Sequence, residues 1–257
     1  MTSDSRHRPT HVPLLAVLFL AACAADGPFQ RGRGETLFLD ETAPSRARTS
    51  NVPKSGRTED LAKQFDLVDV RKVIPDISID LRYGTAQNVA KRSLYPGSMP
   101  CLLRRETAEK LRAAQALLRS QGYGIRVWDG YRPPEVQEAL YQAGAATHMF
   151  ISPESAGWSR HCGGIAVDVT LMDAAGREQR MPTAFDAGLA NASATYRGGD
   201  PVIARNVRLL QQAMQQAGFS TAAAEWWHFD DADFAQNPQP VIYGWQLRIP
   251  VTSPKTP

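Results

Sequence analysis

The chain has 257 residues, with 29 Lys and Arg against 26 Asp and Glu and a formal net charge of +3. That balance offers no basic surplus on which to argue nucleic-acid binding. The length leaves room for one domain of ordinary size, and no internal repeat or coiled-coil heptad divides it.

The N-terminus reads as a targeting segment. Arg6, His7, Arg8 and His11 give a basic start. Val12 to Leu20 is an apolar run too short to span a bilayer as a stable helix. Leu20-Ala21-Ala22-Cys23 then resembles a bacterial lipobox, which implies a signal peptide over 1–22, cleavage before Cys23 and lipidation of its thiol. An ordinary signal peptide with an incidental Cys is the alternative. Ala24, rather than Asp, follows the Cys and resembles outer-membrane sorting in a cell that has two membranes. The expected address is therefore exported and periplasmic, with a membrane as partner through a lipid anchor at Cys23. Residues 23–61, with few apolar residues, read as a lipidated N-terminus and flexible tether, 62–251 as the folded domain, and 252–257 as a disordered tail.

Within the domain, Val68, Val70 and Val73, then Ile77, Ile79 and Leu81, predict two strands broken at Pro75 and Asp76. A loop from Tyr83 to Pro100 follows. Residues 105–121 predict a helix with Ala108, Leu111, Gln115 and Leu118 on its inner stripe, a Glu106–Lys110 pair on its outer face and a stop at Gly122. Gly124 to Asp129 reads as a strand with Ile125 and Val127 inward. Pro133 opens a helix over Val136 and Leu140 that ends near Gly144. Arg132 falls at the turn between them. Ile165 to Leu171 alternates, with Ala166, Asp168 and Thr170 on the second face. Asp200-Pro201 caps a helix carrying Ile203, Val207, Leu210 and Met214 to Gly218, and Phe219 leads towards a strand holding Trp226, Trp227 and Phe229. Val241 to Ile249 alternates again and is expected to close the sheet. Strands and helices mix without a βαβ repeat, which predicts a single α+β domain with a central antiparallel or mixed sheet flanked by helices.

The chemistry gathers at His161, Asp168 and Glu225-Trp-Trp-His228. Beyond residue 11 the chain has three His, and two of them stand in these segments. Two imidazoles and a carboxylate are the protein ligands of an open zinc site, with a second carboxylate, Glu225, left to act as general base. Asp168 sits mid-strand among apolar residues, where a charge needs a partner. On one straight strand His161 and Asp168 would face opposite sides, so Gly163 and Gly164 must turn the chain between them. Glu225 and His228 likewise need a bulge or a strand start between them. Arg132, in Asp129-Gly-Tyr-Arg-Pro, is a fixed guanidinium suited to an oxyanion, or else a helix-start Arg bridging to Asp129. Of the remaining cysteines, Cys101 and Cys162, export permits a disulfide, while packing is the alternative role for Cys162.

His-x-x-Gly-x-Ala-x-Asp, Glu-Trp-Trp-His and Asp-Gly-Tyr-Arg-Pro together resemble the zinc D-alanyl-D-alanine dipeptidases of the VanX type, within the wider group of D,D-peptidases whose fold the hedgehog signalling domain shares. The likeness runs from about Val68 to Ile249. It implies a hedgehog/D,D-peptidase-like fold, one zinc ion held by His161, Asp168 and His228, Glu225 as catalytic base and Arg132 as transition-state arginine. It also implies that Tyr83, Ser159 and Asp186 surround a small D-amino-acid dipeptide, with Asp186 at its free amino terminus. Pro182 stands where the family more often has Gly, Val89 follows Asn88 where Phe is typical, and Cys162 is unusual beside the first ligand. Two other functions stay open: a D,D-carboxypeptidase or endopeptidase on peptidoglycan stems, and a non-catalytic zinc-containing wall-binding lipoprotein. Asp186 weighs against the first; Glu225 and Arg132, which a binding module does not need, weigh against the second.

Overall fold

The computed structural model describes residues 57–152, 158–234 and 239–252. The expected signal peptide, Cys23, the tether up to residue 56 and residues 253–257 of the tail lie outside the described residues. The first helix, α1 (Thr58–Ala62), falls at the end of the expected tether, yet Leu61 and Ala62 are buried. At the other end the Thr252 N–H donates to Leu94 O at 2.9 Å.

The remaining elements are β1 (Leu67–Asp69), α2 (Val70–Val73), β2 (Ser78–Ile79), β3 (Leu102–Arg104), α3 (Arg105–Arg119), β4 (Tyr123–Asp129), α4 (Pro134–Ala143), β5 (Ala166–Asp173), α5 (Pro201–Gln216), β6 (Phe219–Thr221) and β7 (His228–Asp231). Five strands form a mixed sheet in the order β2-β4-β5-β7-β6, with β2 parallel to β4 and the other neighbours antiparallel. β1 and β3 pair separately. The domain is α+β, as the mixture of elements predicts.

One face of the sheet takes α3 and α5. Leu111 and Leu118 from α3 and Leu210 and Met214 from α5 bury with Val127, Val169, Leu171 and Phe229. Asp200 caps α5 by accepting from the N–H groups of Val202 and Ile203 at 2.9 and 3.3 Å. A second apolar cluster gathers Leu67, Tyr83, Leu94, Tyr95, Val136, Leu140 and the C-terminal Ile242, Leu247 and Ile249. Asn88 is buried and fixes the 83–100 loop, its amide bonding to Arg82 O, Thr85 O and Arg92 O and its carbonyl to Ala90 N–H.

Several local expectations change. Val70–Val73 is a turn of helix rather than strand, because the Asp69 carboxylate accepts from the Arg71 N–H at 3.0 Å and caps it. Trp226 and Trp227 lie in the turn before β7, not within it. Residues 241–249 do not join the sheet. Gly244–Leu247 is a short 3-10 turn, with the Tyr243 N–H held by Gln246 and the Gly244 N–H held by Glu135 on α4. Their alternating apolar pattern therefore records burial and not strand pairing. Lys110 turns away from Glu106 to Asp231 and Asp233. Cys101 and Cys162 are both buried free thiols, and burial pushes the Cys101 pKa well above the usual thiol range and that of Cys162 up to about 12.

Candidate active site

The centre of the sheet places three polar residues in one row. Asp168 on β5 stands opposite His228 on β7 and opposite Asp129 on β4. The second pairing depends on a register shift of one residue between Val127 and Asp129. Regular pairing would set Asp129 against Val167, on the face of Ile125 and Val127; the shift turns it to the face of Asp168. His161 arrives from the chain just before β5. Residues Arg160–Gly163 form a 3-10 turn, and Gly164 at φ +71° redirects the backbone into the strand. A Cβ at 164 would stand 2.5 Å from Leu67 Cδ2, so this turn needs glycine for space as well as conformation.

His161 Nε2, His228 Nδ1 and Asp168 Oδ1 converge. Their separations are 3.1 Å between the two nitrogens, 3.0 Å from His228 to Asp168 and 3.3 Å from His161 to Asp168. The other ring nitrogens are engaged elsewhere: His161 Nδ1 lies 2.8 Å from Gly130 O, and His228 Nε2 lies 3.1 Å from Asp230 Oδ1. Each of those partners accepts a hydrogen bond, so each imidazole carries its proton on the outer nitrogen and turns a lone pair inward. Two lone pairs and a carboxylate oxygen at these distances call for a shared cation, and the three residues form the candidate metal-holding group among the described residues. Burial opposes the charge on Asp168; positive charge on the imidazoles, when they are protonated, outweighs it and holds the carboxyl well below the usual range, and a shared cation would take over that part.

The rest of the predicted site surrounds this triangle in a cleft of about 830 Å³ lined by Tyr83, Arg132, Ser159, Asp186 and Glu225 among others. Arg132 is buried. Its Nε donates to Asp129 at 2.8 Å, its Nη1 to Gln137 at 2.6 Å, and its Nη2 lies 3.4 Å from Asp168 and 3.5 Å from the Tyr83 hydroxyl. The bridge from Arg132 to Asp129 thus exists, and it is what holds the guanidinium beside Asp168 (3.4 Å). The Tyr83 ring lies 4.8 Å beneath that guanidinium, and its hydroxyl donates to Asp186 Oδ1 at 3.4 Å.

Asp186 sits at φ 55°, and its second oxygen is buried without a hydrogen-bond partner. Burial pushes its pKa up to about 7, against the pull of Arg132. Its neighbour Phe185 seats it, packing at ring separations of 5.2 Å on Trp128, 5.6 Å on Trp227 and 5.7 Å on Tyr83. Glu225 precedes β7 in a turn in which the His228 N–H donates to Glu225 O at 3.3 Å, so the strand starts at the ligand and Glu225 is free to face the same cleft. Burial raises the Glu225 pKa above the usual carboxylate range.

All eight site residues predicted within the described part thus meet at one cleft. Sequence reasoning missed Gln137, Asp230 and the Gly130 carbonyl, and gave Asp129 no part beside His161, to whose Nδ1 it stands at 3.3 Å. A signal existed for two of them: Asp230 is two residues from His228 on a strand, hence on the same face, and Gln137 lies one turn into the helix that Arg132 precedes.

The family model for D-ala-D-ala dipeptidase matches residues 63–243. The D-alanyl-D-alanine dipeptidase of Escherichia coli K12 is 31% identical over 173 residues, covering 67% of this chain and 88% of the relative. The enzymes of that name from Enterococcus faecium and Enterococcus faecalis are 32% and 29% identical, over 48% and 52% of this chain and 70% and 73% of their own. With a candidate metal-holding triad, flanking carboxylates and a buried arginine in a single cleft, the chain belongs to the D-Ala-D-Ala dipeptidase family of metallopeptidases.

Proposed function

We propose that the protein is a zinc-dependent dipeptidase that hydrolyses D-Ala-D-Ala, or a closely related small D-amino-acid dipeptide, in cell-wall peptide metabolism. The observation that carries this reading is the convergence of His161, Asp168 and His228 beside Glu225 and Arg132. A tetrahedral ion with bonds of about 2.0–2.1 Å has ligand-to-ligand edges of about 3.3 Å. The three edges of 3.0–3.3 Å approach that value, and the nitrogen and oxygen donors suit zinc. Held by His161, Asp168 and His228, zinc would supply Lewis acidity and make a water easier to deprotonate.

The chain's own residues do the rest. The Glu225 carboxylate takes a proton from the attacking water and delivers it to the leaving amine nitrogen; its raised pKa suits both transfers. Arg132, locked by Asp129 and Gln137, offers N–H groups to the carbonyl oxygen as charge develops on it, with no reorganisation needed. The unpartnered oxygen of Asp186 is suited to the substrate ammonium, and Tyr83 orients that carboxylate. Ser159, buried in the same wall, completes the enclosure. A carboxylate waiting for an ammonium favours a free dipeptide over an N-blocked stem peptide.

The lipobox-like segment supports an exported lipoprotein anchored through Cys23, with the polar stretch after it as spacer. In that location the enzyme scavenges or trims wall-derived peptides. The test is release of D-alanine by the zinc-loaded protein from D-Ala-D-Ala and from its N-acetylated form. Cleavage of the free dipeptide alone is expected; equal cleavage of the blocked substrate moves the protein to the carboxypeptidase branch.

A further inference from the structure

The two histidines present opposite nitrogens to the metal triangle, His161 its Nε2 and His228 its Nδ1. What holds them differs as well. His161 Nδ1 bonds to a neutral carbonyl, Gly130 O at 2.8 Å, with the Asp129 carboxylate farther off at 3.3 Å, whereas the nearest partner of His228 Nε2 is itself a carboxylate, Asp230 Oδ1 at 3.1 Å. Asp230 is in turn gripped at its other oxygen by Arg160 Nε at 3.4 Å. The sheet makes this arrangement. His228 and Asp230 alternate onto one side of β7, and the residue opposite Asp230 on β5 is Ala166, whose short side chain leaves the space beside Asp168 to the Asp230 carboxylate.

We propose that Asp230, steadied by Arg160, is a positioning residue that fixes His228 with Nδ1 as its metal-binding atom. Without it the imidazole can rotate or carry its proton on Nδ1, and either change removes the inward lone pair. A carboxylate behind the ring also makes the imidazole a stronger donor. Arg160 follows Ser159 and precedes His161, so the same short turn that brings one ligand to the site supplies the clamp on the other ligand's support.

The inference rests on the reading of His228 as a ligand, and the experiment separates the two. Zinc affinity is measured by competition with a chromophoric chelator on the full chain, for wild type, His228→Ala, Asp230→Ala, Asp230→Asn and Arg160→Gln, with folding checked by circular dichroism. His228→Ala is expected to bind zinc far more weakly than wild type. Asp230→Ala is expected to lose about 10- to 100-fold in zinc affinity. Arg160→Gln removes only a part-exposed ion pair, so a loss of about two- to fivefold is expected; if the Asp230 variants do not fold, an Arg160→Gln protein that binds zinc as tightly as wild type overturns the proposed clamp. In the zinc-loaded wild type, the imidazole nitrogen spectrum should show His228 protonated at Nε2. Equal zinc affinity in wild type and His228→Ala overturns the ligand reading, and with it this inference. A weak His228→Ala with an Asp230→Ala that binds as tightly as wild type overturns the role of Asp230 alone, as does a His228 protonated at Nδ1.

Discussion

Replacing Asp186 by Asn should make the protein more stable and less active. The carboxyl is pushed from its ordinary 3.8 up to about 7, chiefly by burial, so the folded protein binds this proton more tightly than the unfolded chain does. The sign follows from that. Stability attributable to the group is complete below the unfolded value, falls as pH rises above 3.8, and reaches its lowest level once pH passes about 7. Each pH unit is worth about 1.4 kcal/mol, which over this interval gives about 4 kcal/mol as an upper bound. Asp186 is half-buried at the wall of a cleft, where solvent screens it, and about 2 kcal/mol is the figure we expect. Asn is the right probe because it tolerates the φ of 55° nearly as well as Asp, so no backbone strain is introduced.

Urea unfolding of wild type and Asp186→Asn at about pH 3 and about pH 8 reads this directly. The variant should match wild type at the acid end and exceed it by about 2 kcal/mol at the alkaline end. Its kcat/KM for the free dipeptide should fall by about 10- to 100-fold through loss of a charge-assisted hydrogen bond to the ammonium. The preference for the free dipeptide over the N-acetylated one should fall with it. A variant less stable than wild type at pH 8, or one that keeps its preference for the free amine, would refute the reasoning.

Two further predictions concern other residues. Glu225→Gln should bind zinc as wild type does while kcat drops by about two to four orders of magnitude, because the proton shuttle is lost and the ligands are not; near-normal turnover by a zinc-loaded variant removes Glu225 from the mechanism. Lys110→Met should cost about 3 kcal/mol in chemical unfolding, because Asp231 is fully buried and would keep only the Thr107 hydroxyl, at 2.7 Å, of its two side-chain partners. A loss below about 1 kcal/mol would place that ion pair among ordinary surface pairs.

The site was legible because its residue types are improbable where they stand. Asp168 interrupts an otherwise apolar strand, and a carboxylate there demands a cation. Gly163 and Gly164 mark the reversal that lets His161 join it, and Gly164 makes that turn at φ +71°. Glu225 three residues before His228 required a strand start between them, and β7 begins at His228. The helices were legible from their apolar stripes and caps. The misread segments share one cause: alternation of apolar residues reports which side chains are buried and is silent on what the backbone bonds to. Val70–Val73 follows the Asp69 cap into a turn of helix, and residues 241–249 are held by Gln246 and Glu135 away from any strand.

By itself, then, the sequence determined the α+β class, the candidate metal-binding and acid–base groups and the family to which the chain belongs, because local patterns and short motifs carry those. Only the tertiary structure decided how the groups are held. The register shift that turns Asp129 towards Asp168 and Arg132, the grip of Gln137 on the guanidinium and the support of Asp230 behind His228 all arise where separate elements meet. Their energies depend on distances across the sheet, and no spacing along the chain encodes those.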